Sequence, residues 1–418
     1  MRHDIDPTLY GPTGDSMADA VSACVHCGFC LSACPTYAVL GEEMDSPRGR
    51  IILMKEVLEQ KLDLNAATAY IDRCLGCLGC VTACPSGVEY GELLTSFRGW
   101  AADKRQRTPV QALSRTLVEQ TLPYRGRFRL AALTGRIAKP LQSLLPAQLS
   151  AMLSLLPDSL PGAEPLPASY PAVGKRRARV ALLIGCVQQV LSPEINWATL
   201  RVLAANGVEV VIPPHQGCCG SLSMHTGAMN QARTFARANL AAFDLTTVDA
   251  VITNAAGCGS GIKEYELLFA GEADLAAAET YAHKTRDLTE FLADLGPRDP
   301  KPLAEPLRVA YHDACHLAHA QGIRAAPRDL LARIPNVTVL DFPEVDLCCG
   351  SAGTYNVEQP AIAAQLGQRK AANILSVQPD AVAMGNIGCL IQIATHLRQS
   401  NAELPIYHTV QILDMAYA

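Results

Sequence analysis

The chain has 418 residues, 49% of them hydrophobic, enough for roughly two to four globular domains with real cores. Its formal charge of −5 offers no electrostatic footprint for nucleic acid, and no run of about 18 uninterrupted apolar residues is present to span a bilayer. The start, MRHDIDPTLY, lacks the apolar core of a secretory signal, so the sixteen cysteines are expected in a reducing cytoplasm, where disulfides are disfavoured and metal is the leading explanation.

In chain order the first feature is CVHCGFCLSACP, Cys24 to Pro35, which returns as CLGCLGCVTACP, Cys74 to Pro85, with every cysteine and the closing proline at the same spacing. In C-x2-C-x2-C three thiolates on one tight loop converge on a single inorganic core, while the fourth cysteine, followed by proline, points elsewhere. This is the bacterial ferredoxin pattern, in which the fourth cysteine serves the other cluster. The spacing therefore predicts one [4Fe-4S] cluster on Cys24, Cys27, Cys30 and Cys84, and a second on Cys74, Cys77, Cys80 and Cys34. A pair of zinc sites is the competing reading, but zinc takes paired C-x2-C ligands, and a third cysteine at this spacing suits a cubane better. Gly28, Gly76, Gly79, Ala33 and Ala83 are small enough to let backbone amides approach the sulfurs. His26, inside the first loop, is read either as an exposed polar residue or as one that tunes the potential.

Between the two rows, SPRGRIILMKEVLEQKLDL places Ile51, Ile52, Met54, Leu58 and Leu62 at helical intervals, with Ser46 as N-cap and Pro47 in the first turn. Arg48 and Arg50 either set positive charge beside the clusters, favouring their reduced form, or are ordinary surface arginines. A helical ferredoxin-like module is thus expected over residues 1–107.

From Lys104 to Lys139 nine basic residues (Lys104, Arg105, Arg107, Arg115, Arg125, Arg127, Arg129, Arg136, Lys139) face one acid, Glu119. LQSLLPAQLSAMLSLL then puts Leu141, Leu144, Leu145, Leu149, Met152, Leu153 and Leu156 on one helical stripe broken by Pro146. Three uses stay open: contact with an anionic membrane leaflet, a seat for an acidic protein partner, and an internal connector. With the proline-punctuated linker PDSLPGAEPLPASYP, Pro157 to Pro171, this stretch occupies residues 108–175.

The remainder repeats itself at a spacing of about 130 residues. RVALLIGC (Arg179 to Cys186) matches RVAYHDAC (Arg308 to Cys315), each half carries a Cys-Cys-Gly, and DAVITNAAGC ending at Cys258 matches DAVAMGNIGC ending at Cys389. Residues 176–300 thus hold Cys186, Cys218, Cys219 and Cys258, and residues 301–418 hold Cys315, Cys348, Cys349 and Cys389. A β-branched run precedes the cysteines and a helical pattern follows Cys-Cys-Gly, which predicts parallel βαβ modules with the cysteines at the carboxyl ends of strands. The fold expected is α+β and multidomain, a helical two-cluster module followed by two tandem α/β modules. Adjacent thiolates at strand ends predict a further cluster or clusters, one or two in number, against the bland alternative of buried structural cysteine. His312, His316 and His319 flank Cys315 and are read as a ligand or proton relay near a quinone, or as satisfied core residues.

Two ferredoxin-type rows followed by two Cys-Cys-Gly modules, in this order over essentially the whole length, resemble the iron-sulfur subunit of bacterial glycolate oxidase. The iron-sulfur subunits of anaerobic glycerol-3-phosphate dehydrogenase and the heterodisulfide reductases are relatives, and SPRGRI and RCLGCLGCVTACPSGVEYGELL are similar to the glycolate-oxidase branch. The resemblance implies an electron-transfer subunit with no catalytic residue and no flavin of its own. Electrons would come from FAD-binding dehydrogenase subunits that oxidise glycolate to glyoxylate, with D-lactate as a further substrate, and go towards a quinone-type acceptor. The missing secretory signal and the basic, leucine-striped stretch point to a cytoplasmic location, free or peripheral on the inner membrane. Relatives with a full module end it in C-x2-C, whereas here Ala255 and Asn386 stand where the earlier cysteine belongs. That departure argues against the non-cubane clusters of heterodisulfide reductases. The chain shows no dinucleotide loop, Walker loop or nucleophile elbow. Three alternatives stay open: the iron-sulfur subunit of an anaerobic glycerol-3-phosphate or D-lactate dehydrogenase, a heterodisulfide-reductase-like thiol-disulfide enzyme, and a structural zinc protein.

Overall fold

The computed structural model describes residues 1–162 and 164–417; Ala163 of the expected linker and Ala418 of the expected second module lie outside the described residues. The amino-terminal part is helical, with principal helices Gly14–Ala23, Pro47–Leu58 and Tyr90–Ala101 around a core of Met17, Met54, Leu58, Leu93 and Phe97. The helix Pro47–Leu58 starts where expected: Ser46 Oγ accepts the Gly49 amide at 3.1 Å and Pro47 fills the first turn. It ends at Leu58, so Leu62 lies beyond it.

The two cysteine rows share one backbone form. His26 and Gly76 hold the same place in the two loops, as do Gly28 and Leu78, and all four have positive φ, between 58° and 86°. His26 is therefore a non-glycine residue held in the left-handed region by its loop, half-buried rather than fully exposed.

Arg50 is no surface arginine. It is 1% exposed, donating to Asp45 at 3.1 Å, to Thr36 Oγ1 at 3.0 Å and to the Tyr70 carbonyl at 2.7 Å, with its Nη1 3.9 Å from Cys34 Sγ. Asp45, fully buried, also takes Arg73 at 2.6 Å. Arg48 stays half-exposed, pairs with Glu43 at 2.5 Å and donates to the His26 carbonyl at 3.3 Å, so it braces the first loop.

The two α/β modules carry strands β1 (Ser169–Tyr170), β2 (Ala178–Leu183), β3 (Val208–Val211), β4 (Ala250–Thr253) and β5 (Thr285–Asp287), then β6 (Leu307–Tyr311), β7 (Val337–Leu340), β8 (Ala381–Met384) and β9 (Ile406–His408). The sheet orders are β1-β3-β2-β4-β5 and β7-β6-β8-β9, parallel throughout except for β1, which runs antiparallel along β3. Set β1 aside and the two orders are the same. Strands β4 and β8 are buried at every residue, as expected of parallel strands covered on both faces. The modules are not separate beads: Leu200 and Leu203 from the helix Glu194–Ala205 share one apolar core with Val410 and Leu413 from the helix Thr409–Tyr417. Arg201 clasps Asp414 across that seam at 2.6 Å.

The basic connector folds as helices Pro109–Thr121, Arg125–Ala138 and Ala147–Ser154, and Pro146 breaks the expected stripe. Several of its cations turn inward. Arg115 bonds the Thr226 carbonyl at 2.9 Å, Arg125 the Gln216 carbonyl at 2.9 Å and Arg129 the Pro161 carbonyl at 3.2 Å, while Lys139 pairs with Asp158 at 2.7 Å. These bonds support the internal-connector reading. What the connector leaves bare is an apolar ridge, with Leu130 64%, Ile137 82% and Leu144 80% exposed.

Asp45→Ala leaves the Arg50 charge without its buried carboxylate, and breaking such a pair costs about 3–5 kcal/mol. The expected outcome is a clearly lower denaturant midpoint by far-ultraviolet circular dichroism under anaerobic conditions; an unchanged midpoint would show that Arg50 finds another partner.

Candidate metal centres

All sixteen cysteines are free thiols, and fourteen of them line one of two pockets. Cys24, Cys27, Cys30 and Cys84 line one pocket, so the fourth cysteine of the second row faces the first loop. Cys80 forms part of its wall. This pocket reaches the surface: Cys27 is exposed, and Val25 and Phe29 beside it are 65% and 66% exposed. Cys34 in turn lies within electrostatic reach of Cys77 and Cys80, and Arg50 feels the charge of both Cys34 and Cys74.

In the second row Cys80 is buried and Cys74, Cys77 and Cys84 are half-buried. Burial opposes charge on Cys74, but Arg50 and Arg98 outweigh it, helped by Tyr90 Oη donating at 3.5 Å and the Gly76 amide at 3.4 Å, so the thiol's pKa falls below its usual value. Cys77 and Cys80 are pushed well up by burial and by neighbouring sulfurs, and Cys30 is pushed up to about 11. Thiols crowded this way ionise together only if a cation shares them.

In the α/β part each cysteine follows the carboxyl end of a strand. Cys186 comes after β2, Cys218 and Cys219 after β3, and Cys258 after β4; β6, β7 and β8 place Cys315, Cys348, Cys349 and Cys389 in the same way. The sulfurs of Cys186 and Cys218 are 3.5 Å apart and those of Cys315 and Cys348 3.8 Å, near contact but far beyond a disulfide bond of about 2 Å. Gly220 and Gly350, at φ of 80° and 89°, turn the chain after each cysteine pair, where the backbone of Ala232 or Ala363 leaves no room for a side chain. All eight cysteines line a single cavity of about 250 Å³, and Cys74 of the second row opens into it. Thiolate-rich donor sets select soft centres, iron-sulfur clusters among them. The eight cysteines of the two rows suit cubanes in ligand type and number, and Cys24, Cys27, Cys30 and Cys84 also share one pocket. Asn386, where a further cysteine was missed, donates its amide to Cys389 Sγ at 3.4 Å and accepts the Gly257 amide at 3.4 Å, tying the modules together.

The three histidines part company. His316 Nε2 bonds the Gly76 carbonyl at 2.9 Å and His319 Nδ1 meets Thr82 Oγ1 at 2.7 Å, so both fasten the second α/β module to the second cysteine row. His312 turns the other way, towards Cys349 and Cys389.

Sequence reasoning missed a charged pair on the cavity wall, His225 and Glu264 at 3.1 Å. Burial works against the His225 charge, but the Glu264 carboxylate outweighs it and holds the imidazole pKa above its usual value. Burial likewise opposes Glu264, and His225 brings its pKa below the ordinary carboxylate value. The available signal was the repeat itself: counting from the paired Cys-Cys-Gly motifs, His225 takes the place of Tyr355. Tyr90 and Arg98 were missed as well. Both lie on the helix Tyr90–Ala101, and Arg98 joins the Cys74 carbonyl at 2.6 Å to the His225 carbonyl at 3.2 Å.

Residues 20–88 match the 4Fe-4S dicluster domain, and residues 180–263 and 309–394 each match the Cysteine-rich domain. The chain is 36% identical to the glycolate oxidase iron-sulfur subunit of Escherichia coli, over 96% of this chain and 95% of that one. It is 34% identical to the probable glycolate oxidase iron-sulfur subunit of Bacillus subtilis, over 88% and 87%. With lactate utilization protein A of Oceanobacillus iheyensis it shares 28% identity over 56% of this chain and 96% of that one. The expected helical ferredoxin-type region and two parallel-sheet Cys-Cys-Gly modules are thus both found.

The His225–Glu264 pair has a pH signature. The raised histidine stabilises the fold fully below about pH 6.5 and loses that contribution as pH climbs through its folded pKa; the depressed carboxylate contributes above about pH 4.3. The pair therefore acts fully between those limits. Glu264→Gln should lower the melting temperature most near about pH 6 and progressively less towards about pH 9. A gap that stays constant across that range would mean the pair is not ionised.

Proposed function

The chain belongs to the glycolate oxidase iron-sulfur subunit family, and on that premise we propose that it carries electrons away from separate FAD-binding subunits that oxidise glycolate to glyoxylate. It is an electron-transfer iron-sulfur subunit of an oxidoreductase and works in a complex with other subunits. The observation that carries the finer reading is the succession of cysteine sites, in which Cys80 feels the charge of both Cys30 and Cys74. They run from the exposed Cys27 pocket, past Cys80 in its wall, to Cys74 and the cavity that all eight Cys-Cys-Gly cysteines line.

Cys24, Cys27, Cys30 and Cys84 would hold one [4Fe-4S] cluster and Cys74, Cys77, Cys80 and Cys34 the other. Further iron-sulfur centres would rest on Cys186, Cys218, Cys219 and Cys258 and on Cys315, Cys348, Cys349 and Cys389. When bound, such clusters take up and release single electrons. The chain's own residues supply spacing, a dry interior and charge. Arg50 and Arg98 place positive potential beside Cys74, and the Gly76 amide and Tyr90 hydroxyl donate to its sulfur, all of which favour the reduced state. No residue of this chain acts on substrate in this reading. The flavin subunits would dock over Cys27, between the bare Val25 and Phe29. Among the described residues no helix is long and apolar enough to cross a membrane. We place the chain in the cytoplasm, with the Leu130–Leu144 ridge as its peripheral contact on the way to a quinone-type acceptor. D-lactate is the second substrate to consider, because the similarity to lactate utilization protein A spans nearly all of that protein.

Two measurements check this. Cys24→Ser and Cys77→Ser should each remove one cubane signal from the electron paramagnetic resonance (EPR) spectrum of the reduced protein and loosen the module, because the fourth ligands cross between rows; retention of both clusters would refute the ligand sets. An anaerobic complex co-purified with its flavin subunits should bleach its iron-sulfur absorbance on addition of glycolate. Bleaching by D-lactate and not by glycolate would overturn the substrate.

A further inference from the structure

We propose that His312 is a metal ligand, its Nε2 joining the thiolates of Cys349 and Cys389 on an iron-sulfur centre in the second Cys-Cys-Gly module. The inference rests on the reading that these modules hold iron-sulfur centres.

The argument begins with an orphaned atom. His312 is 0% exposed, and its Nδ1 lies 3.2 Å from the Val345 carbonyl. A carbonyl only accepts, so Nδ1 carries the hydrogen and Nε2 presents a bare lone pair. No protein group meets that lone pair. Such an atom is costly to bury, and His396 Nδ1 and His408 Nε2 are left the same way; what sets His312 apart is the pair of cysteines beside it. One ring nitrogen of His312 and the sulfurs of Cys349 and Cys389 all lie within 4.8 Å of one another, so the missing partner is a cation shared with two thiolates. A metal-bound histidine has this arrangement as a rule: one nitrogen on the metal, the other fixed by a carbonyl.

The donor count agrees. Asn386 stands where a further cysteine would complete a C-x2-C pair, and its amide is turned to donate to Cys389 Sγ and is not offered as a ligand. His312, one residue past the end of β6 and between the strands that bring Cys349 and Cys389, supplies a donor instead. Lys370 is 2% exposed, held by the Glu344 and Val345 carbonyls, and it offsets the charge of Cys348 and Cys349.

The first module lacks both features. Counted back from Cys186, the His312 place is Leu183, packed in an apolar cluster. Counted from the alanine that faces each Cys-Cys-Gly glycine, the Lys370 place is Asn239. The repeat is therefore symmetric in fold and asymmetric in chemistry. Exchanging thiolate for neutral imidazole raises the potential of an iron-sulfur centre, so the second module holds electrons more tightly than an all-thiolate centre would.

The test uses the full-length chain, purified anaerobically with 15N-histidine and examined by pulsed EPR after reduction, alongside iron analysis. The expected result is a strongly coupled histidine nitrogen that persists in His316→Gln and vanishes in His312→Leu, with iron lost from the second module and the two ferredoxin-type signals intact. His312→Cys should keep the iron and shift the centre to a lower potential. Iron beyond the eight atoms of two [4Fe-4S] clusters, without histidine coupling and without iron loss in His312→Leu, overturns the inference alone. Only eight irons in the unsubstituted chain, or zinc in place of iron, overturns the reading beneath it as well.

Discussion

Sulfur crowding governs this molecule. Fourteen of the sixteen thiols line one of two pockets, and several, Cys77, Cys80 and Cys218 among them, are made harder to ionise by their neighbours. Everything around them answers that repulsion. Arg50 is drawn into the interior and then needs Asp45, which in turn takes Arg73, so an ionic chain forms behind Cys34. Arg98 reaches from the helix Tyr90–Ala101 to the Cys74 loop, and Lys370 sits behind the second Cys-Cys-Gly pair. Metal ions complete what these cations begin.

The interlocked layout follows from the same demand. A cluster site built from two loops ties those loops together, and a cavity lined by cysteines from both modules ties the modules together. His316 and His319 fasten the second cysteine row to the second module, while Arg98 and Arg115 bond the carbonyls of His225 and Thr226 in the first. The ferredoxin-type region is thus wedged against both halves of the repeat and does not hang from a tether.

How much of this was legible beforehand depended on whether the signal was local. The cysteine rows could be read because ligand geometry dictates short fixed spacings, and the α/β repeat because parallel strands buried on both faces are continuous apolar runs. The Ser46–Pro47 helix start was local too. Arg50 was ambiguous, since its burial is decided by Asp45 and by Cys34, which reaches it only through the fold. The connector stayed open for a related reason: its basic residues could be counted, but their partners, the Gln216 and Thr226 carbonyls, lie about 100 residues away in sequence and carry no side-chain signature. His225 and Glu264 meet only in three dimensions.

The first pocket differs from the rest in one respect, the exposure of Cys27. An oxidant diffusing up to the protein meets this sulfur before any other, and susceptibility follows exposure and thiolate character. Injury is therefore graded, starting at the rim and silencing the outermost relay while the deeper ones keep their ligands. A subunit seated over that rim would protect as well as connect, and a chain without one would age from this loop inward.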